Sequence, residues 1–124
     1  MPPPIAPGAA TTAAATPSGL RLSFGSGQSD LSPTSADSIK RLVQAVPIGE
    51  TTTFNVLAYA TGDPDDPSVA RRLSLARAIA VRSVLMADGV PSTRIYLRAL
   101  GSVPGDGPPD RVDLNVLGAN AMQQ

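Results

Sequence analysis

The sequence predicts an α/β fold, an α+β sandwich in which a mixed β-α-β-α-β-β sheet carries two helices on one face. Three observations predict it. Four short segments alternate apolar and polar residues, the period of a half-buried strand. Two longer segments repeat apolar residues at helical spacing. Clusters of glycine and proline separate the segments. Strands joined through a helix can form parallel crossovers, and the last two strands, with no helix between them, can form a hairpin.

Residues 1–19 are, after Met1, almost entirely Pro, Ala, Thr, Ser and Gly, with Ile5 the one bulky apolar side chain among them. Such a segment cannot bury enough surface to offset its ordering entropy, so it reads as a disordered leader or tether. The folded domain is expected over 20–118, with 119–124 as a tail. Leu20, Leu22 and Phe24 alternate with Arg21 and Ser23 as the first strand, and Gly25 and Gly27 end it. The first helix has Ser32 or Thr34 as a cap, tolerates Pro33 in its first turn, and aligns Ile39, Leu42, Val43 and Val46. Pro47 and Gly49 stop it.

Thr52 to Ala60 forms the second strand, with Phe54, Val56, Ala58 and Ala60 on one side and Asn55, Leu57 and Tyr59 on the other. Apolar groups on both faces mark a central strand. A breaker-rich acidic loop, Thr61 to Pro67, leads into the longest helix, about Ser68 to Asp88. Ser68 can cap it, and Gly89 and Pro91 stop it. Val69, Leu73, Ala76, Ala80, Val84 and Ala87 form its expected buried stripe, with Arg71 and Arg82 on the far side. Ile95, Leu97 and Ala99 define a third strand. Val112, Leu114 and Val116 define a fourth, after the loop from Gly101 to Pro109.

The chain has 124 residues, which suits one domain, and a net charge of zero from ten acidic and ten basic residues. That balance argues against a nucleic-acid partner. It has no Cys and no His. Zinc sites, iron–sulfur clusters, thiol nucleophiles and His-based triads are excluded by inventory. Lys40 lies in a predicted helix without a nucleophile signature. The spacing of Asp63, Asp65 and Asp66 lacks the glycine turn and distant Glu of a calcium loop. No catalytic residue, cofactor or metal is expected. No stretch reaches the roughly 18 apolar residues needed to span a membrane. The segment from Met1 to Ser18 lacks the basic and apolar regions of a signal peptide.

Arg77 departs from the helix pattern. It lies beside the expected apolar stripe, at the helix–sheet margin. A guanidinium there stays charged and requires partners. One reading is a structural pair with Asp63, Asp65, Asp66 or Asp113. The other is an anion receptor, because arginine grips a carboxylate through two parallel N–H bonds.

The stretch from Leu20 to Leu117 resembles the OmpA-like, peptidoglycan-associated domain family. Leu73-Ser74-Leu75-Ala76-Arg77-Ala78-Ile79-Ala80-Val81 is similar to the family's Leu-Ser-x-x-Arg-Ala-x-x-Val helix. Leu85, Gly89-Val90-Pro91 and Arg94-Ile95 follow it in register. The opening strand with Phe24, and Gly101 followed by Asp110-Arg111-Val112-Asp113-Leu114, resemble the family's first and closing strands.

The resemblance implies a periplasmic or cell-envelope location, as part of a longer anchored protein. It also implies non-covalent peptidoglycan binding, with an Asp and the helix Arg clamping the diaminopimelate of the stem peptide. The Arg falls on Arg77. The family's Gly-x-Thr-Asp falls on Ala58-Tyr59-Ala60-Thr61, so Thr61 stands at the Asp position. The family's Asn falls on Ala70, and the acid expected after the closing glycine on Ser102. A hydroxyl cannot supply the charge a carboxylate offers an ammonium, a difference of roughly 1.5–3 kcal/mol. Asp63, two residues on, can substitute if the loop is reshaped. The candidate ligand residues are therefore Arg77, Thr61 and Asp63. The alternative is a degenerate OmpA-like domain serving as a protein-interaction or structural module in a secretion or motility assembly, with other envelope proteins as partners. A small hydrolase is the weakest reading.

Overall fold

The computed structural model describes residues 11–25, 27–46, 51–61, 66–102 and 110–118. A five-stranded mixed sheet carries two helices, in the order β1 Thr12–Thr16, β2 Gly19–Ser23, α1 Pro33–Ala45, β3 Thr53–Tyr59, α2 Pro67–Ala87, β4 Ile95–Gly101 and β5 Arg111–Leu117. The spatial strand order is β1-β2-β5-β3-β4. β3 and β4 are parallel, and β5 runs antiparallel to both β2 and β3. The C-terminal ends of β2, β3 and β4 therefore share one end of the sheet with the start of β5.

The α+β class and both helices on one face are observed. Leu20, Leu22, Phe54, Val56, Ala58, Val112 and Leu114 from the sheet join Ile39 and Val43 of α1 and Val81, Val84 and Leu85 of α2 in one buried core. Burying a side chain of this size stabilises the fold by about 1.5–3 kcal/mol. Ser32 is the cap of α1, its hydroxyl accepting from the Ser35 amide. β3 is interior, as its two-sided apolar pattern requires.

Four expectations are corrected. The leader is not structureless throughout. Thr12–Thr16 pairs antiparallel with β2, from Thr12 opposite Ser23 to Thr16 opposite Gly19. Small side chains suffice because backbone hydrogen bonding along the exposed edge of β2 holds the strand. Thr11, just ahead of it, is buried, and its hydroxyl donates to the Asp30 carbonyl at 2.5 Å. Residues 1–10 and 119–124, the latter being the whole expected tail, lie outside the described residues.

The last two strands do not form a hairpin. β5 crosses over β3 and inserts between β3 and β2. The connection from 102 to 110 is longer than the two to five residues of a tight hairpin, so the chain is free to skip a neighbour. Insertion gives β5 an antiparallel ladder on each side. Gly19 makes the fit possible: a Cβ there would stand 2.1 Å from the Leu114 carbonyl oxygen.

The cap of α2 is Asp66, whose carboxylate accepts from the Ser68 amide at 3.2 Å, with Pro67 at the first helical position. The buried face of α2 is also rotated from the expected stripe. It comprises Ala70, Ser74, Arg77, Ala78, Ala80, Val81, Val84 and Leu85, while Val69 is exposed. At about 100° per residue the rotation is roughly 90°. It puts Arg77 near the middle of the buried face instead of at its margin.

Candidate functional site

The site forms where α2 crosses the end of the sheet. Ser74 anchors the helix there. Its hydroxyl donates to the Arg71 carbonyl at 2.8 Å and accepts from the Gly101 amide at 3.1 Å. Gly101 has φ +61°, a conformation open to glycine, and a Cβ would stand 3.3 Å from the Arg71 nitrogen. The Gly101 carbonyl in turn accepts from the Ala60 amide at 2.8 Å. Helix, β4 and the end of β3 are thereby tied together one turn before Arg77.

Arg77 is completely buried. Its Nε donates to the Gln28 carbonyl at 2.7 Å, and one terminal nitrogen donates to the Gly25 carbonyl at 3.1 Å. The other terminal nitrogen donates to the Tyr59 carbonyl at 3.0 Å and to the Asp110 carboxylate at 2.9 Å. Four of the five N–H donors of the guanidinium are thus placed. The Phe24 ring lies 4.9 Å from the guanidinium carbon, within the range of cation–π attraction. A buried arginine requires this density of partners, because an unpaired charge in the core costs several kcal/mol.

Asp110 supplies the counter-charge. It directly precedes β5, so strand alternation turns its side chain to the same face as Val112 and Leu114, towards α2. Thr61, two residues past the end of β3, grips the same carboxylate: its amide donates to Oδ1 at 3.0 Å and its hydroxyl lies 3.1 and 3.0 Å from the two oxygens. Burial pushes the Asp110 pKa up. The Thr61 amide, the Arg77 guanidinium and the Thr61 hydroxyl outweigh it, and the carboxyl is held below its ordinary value. The Asp110 side chain is 18% exposed. It is therefore the carboxylate, not the guanidinium, that meets solvent.

Of the three candidates, Arg77 and Thr61 converge, and they do so on Asp110. Asp63 lies outside the described residues, as does Asp65. The structural partner of Arg77 is a residue the four expected acids did not include. Asp66 caps α2, and Asp113 pairs with Arg21 at 2.9 Å and Arg111 at 3.0 Å. A sequence signal for Asp110 exists: it keeps the parity of Val112 and Leu114. The Gly25 and Gln28 carbonyls carry no such signal, because a backbone acceptor has no residue type.

Ala70, at the family's Asn position, is buried. Ser102, at the position of the expected acid, lines a cleft of about 220 Å³ with Pro67, Arg71, Leu100 and Gly101. Arg77 does not line it. Among the described residues no cluster of His, Cys, Asp or Glu could hold a metal, and no helix is long and apolar enough to cross a membrane.

A model of the OmpA family matches residues 23–110. The C-terminal domain of Helicobacter pylori MotB is similar in structure, with TM-score 0.65 and 19% identity over 82% of this chain and 88% of that one. The peptidoglycan-associated lipoprotein of Burkholderia pseudomallei gives TM-score 0.63 and 17% identity over 77% and 88%. A MotB-like protein of Desulfovibrio vulgaris gives TM-score 0.57 and 17% identity over 86% and 80%. At these identities the likeness is one of fold. No curated protein matches the chain.

Proposed function

This chain belongs to the OmpA family, and from that premise we propose that it is a non-catalytic module of the bacterial cell envelope that associates with peptidoglycan. Its ligand is the diaminopimelate of the stem peptide, received at Arg77 and Thr61, with Asp63 facing the amino group. One observation carries this reading. Arg77 and Thr61, from different elements, converge on a single carboxylate, and gripping a carboxylate is what the ligand requires of them. The peptidoglycan-associated lipoprotein among the structural neighbours supports the association with peptidoglycan.

The complete burial of Arg77 favours a second reading. Here the domain keeps the fold and serves as an interaction or structural module of an envelope assembly, with weak or no cell-wall binding. Co-sedimentation with purified peptidoglycan decides between them. The first reading expects retention on diaminopimelate-type peptidoglycan, competition by free diaminopimelate, and a loss of about tenfold or more in Thr61→Val or Asp63→Asn. No retention of the unaltered chain leaves the second reading.

A further inference from the structure

The Arg77 site is filled by the chain itself. Three of its placed N–H donors go to the backbone carbonyls of Gln28, Gly25 and Tyr59, and the fourth goes to Asp110. The carbonyls belong to the frame of the fold. Asp110 is different in kind. Its carboxylate enters from a residue at the start of a strand, is held at both oxygens by Thr61, and keeps an edge in solvent. A free carboxylate arriving from outside would meet the same donors: one guanidinium N–H, one backbone amide and one hydroxyl.

We propose that Asp110 is an internal ligand that closes a carboxylate-binding site formed by Arg77 and Thr61. Whether an outside carboxylate enters depends on whether Asp110 vacates it. The low pKa of Asp110 fits this role, since the carboxylate stays ionised and seated at neutral pH. Carboxylate is the one chemical class that reproduces the contacts. Chloride offers a single acceptor point, and a phosphate carries more charge and bulk than the space of one Asp side chain provides. The inference concerns what occupies the site and stands whether or not the cell-wall reading does.

Chemical rescue tests it on the full chain. Asp110→Ala removes the carboxylate and leaves the donors. Thermal unfolding of wild type and variant is measured in sodium acetate and in sodium chloride at equal ionic strength. The variant is expected to melt about 4 °C or more higher in acetate than in chloride, saturably, and the wild type equally in both. A variant that folds only in acetate carries the proposal too. A folded variant that melts alike in both salts overturns it.

If the variant is unfolded in both salts, Asp110→Ser takes its place, since its hydroxyl keeps one acceptor while its shorter side chain leaves room for acetate. An acetate-dependent shift in the resonance of the Arg77 terminal N–H that otherwise meets Asp110 carries the proposal, and no shift overturns it. Sedimentation of the acetate-responsive variant with peptidoglycan then separates two claims. A gain over wild type means the opened site takes a stem-peptide carboxylate. No gain leaves the internal ligand standing and counts against the cell-wall reading alone.

Discussion

At the scale of single residues, two side chains define the molecule. Arg77 carries a full charge into the interior, beside a core cluster of Val, Leu, Ile, Phe and Ala. Asp110 balances it and is itself secured by Thr61. The Asp110 carboxyl is depressed below its ordinary value of 3.8, so as the pH falls the unfolded chain takes up the proton first. The stability Asp110 contributes is complete above that ordinary value and disappears as acid carries the pH through the lower folded-state value. Asp110→Asn is therefore expected to lower stability by about 2 kcal/mol at pH 7. Urea unfolding across pH should show the gap between wild type and variant closing below about pH 4.

At the scale of elements, both ends of α2 are capped, but the charges at the two ends differ in effect. Asp66 caps its start with a negative charge, where the helix dipole favours one. Asp88 closes it with another negative charge, where the dipole opposes one. Asp88 Oδ2 is buried without a hydrogen-bond partner. Burial raises the Asp88 pKa against the pull of Lys40, with a further push from Asp37. The sign is opposite to that of Asp110. The ionised group costs stability at neutral pH, and the cost falls as acid protonates it in the folded state. Asp88→Asn is expected to raise stability by about 0.5 kcal/mol at pH 7, an increment that shrinks as the pH is lowered towards 4. Paired unfolding curves at the two pH values check it.

At the scale of the whole molecule, the last strand is an inner one. β5 pairs with β2 on one side and β3 on the other, and it brings Val112, Leu114 and Val116 to the core. Without it, β1 and β2 lose their ladder to β3 and β4, and a band of apolar surface opens through the middle of the sheet. A chain ending at Asp110 is expected to be unfolded, with a far-ultraviolet circular dichroism spectrum lacking native strand and helix signal. By contrast, β1 sits at the edge and touches only one strand.

The elements were legible in the amino-acid order alone. Period-two alternation placed β2 to β5, and helical spacing with caps and breakers placed both helices, because these signals are local and each residue's neighbours in the chain generate them. It also singled out Arg77, and the family resemblance pointed to Thr61. It missed β1, whose small side chains carry no apolar alternation. It misplaced the buried face of α2 for an instructive reason. A stripe drawn through apolar residues excludes arginine by construction, whereas the folded chain buries Arg77 by supplying acceptors from positions 25, 28, 59 and 110. Only the tertiary structure decided which acid meets that arginine and which strand lies beside which. Both depend on residues dozens of positions apart, and the free energy of a buried ion pair or a strand ladder resides in the contact, not in either partner's local pattern.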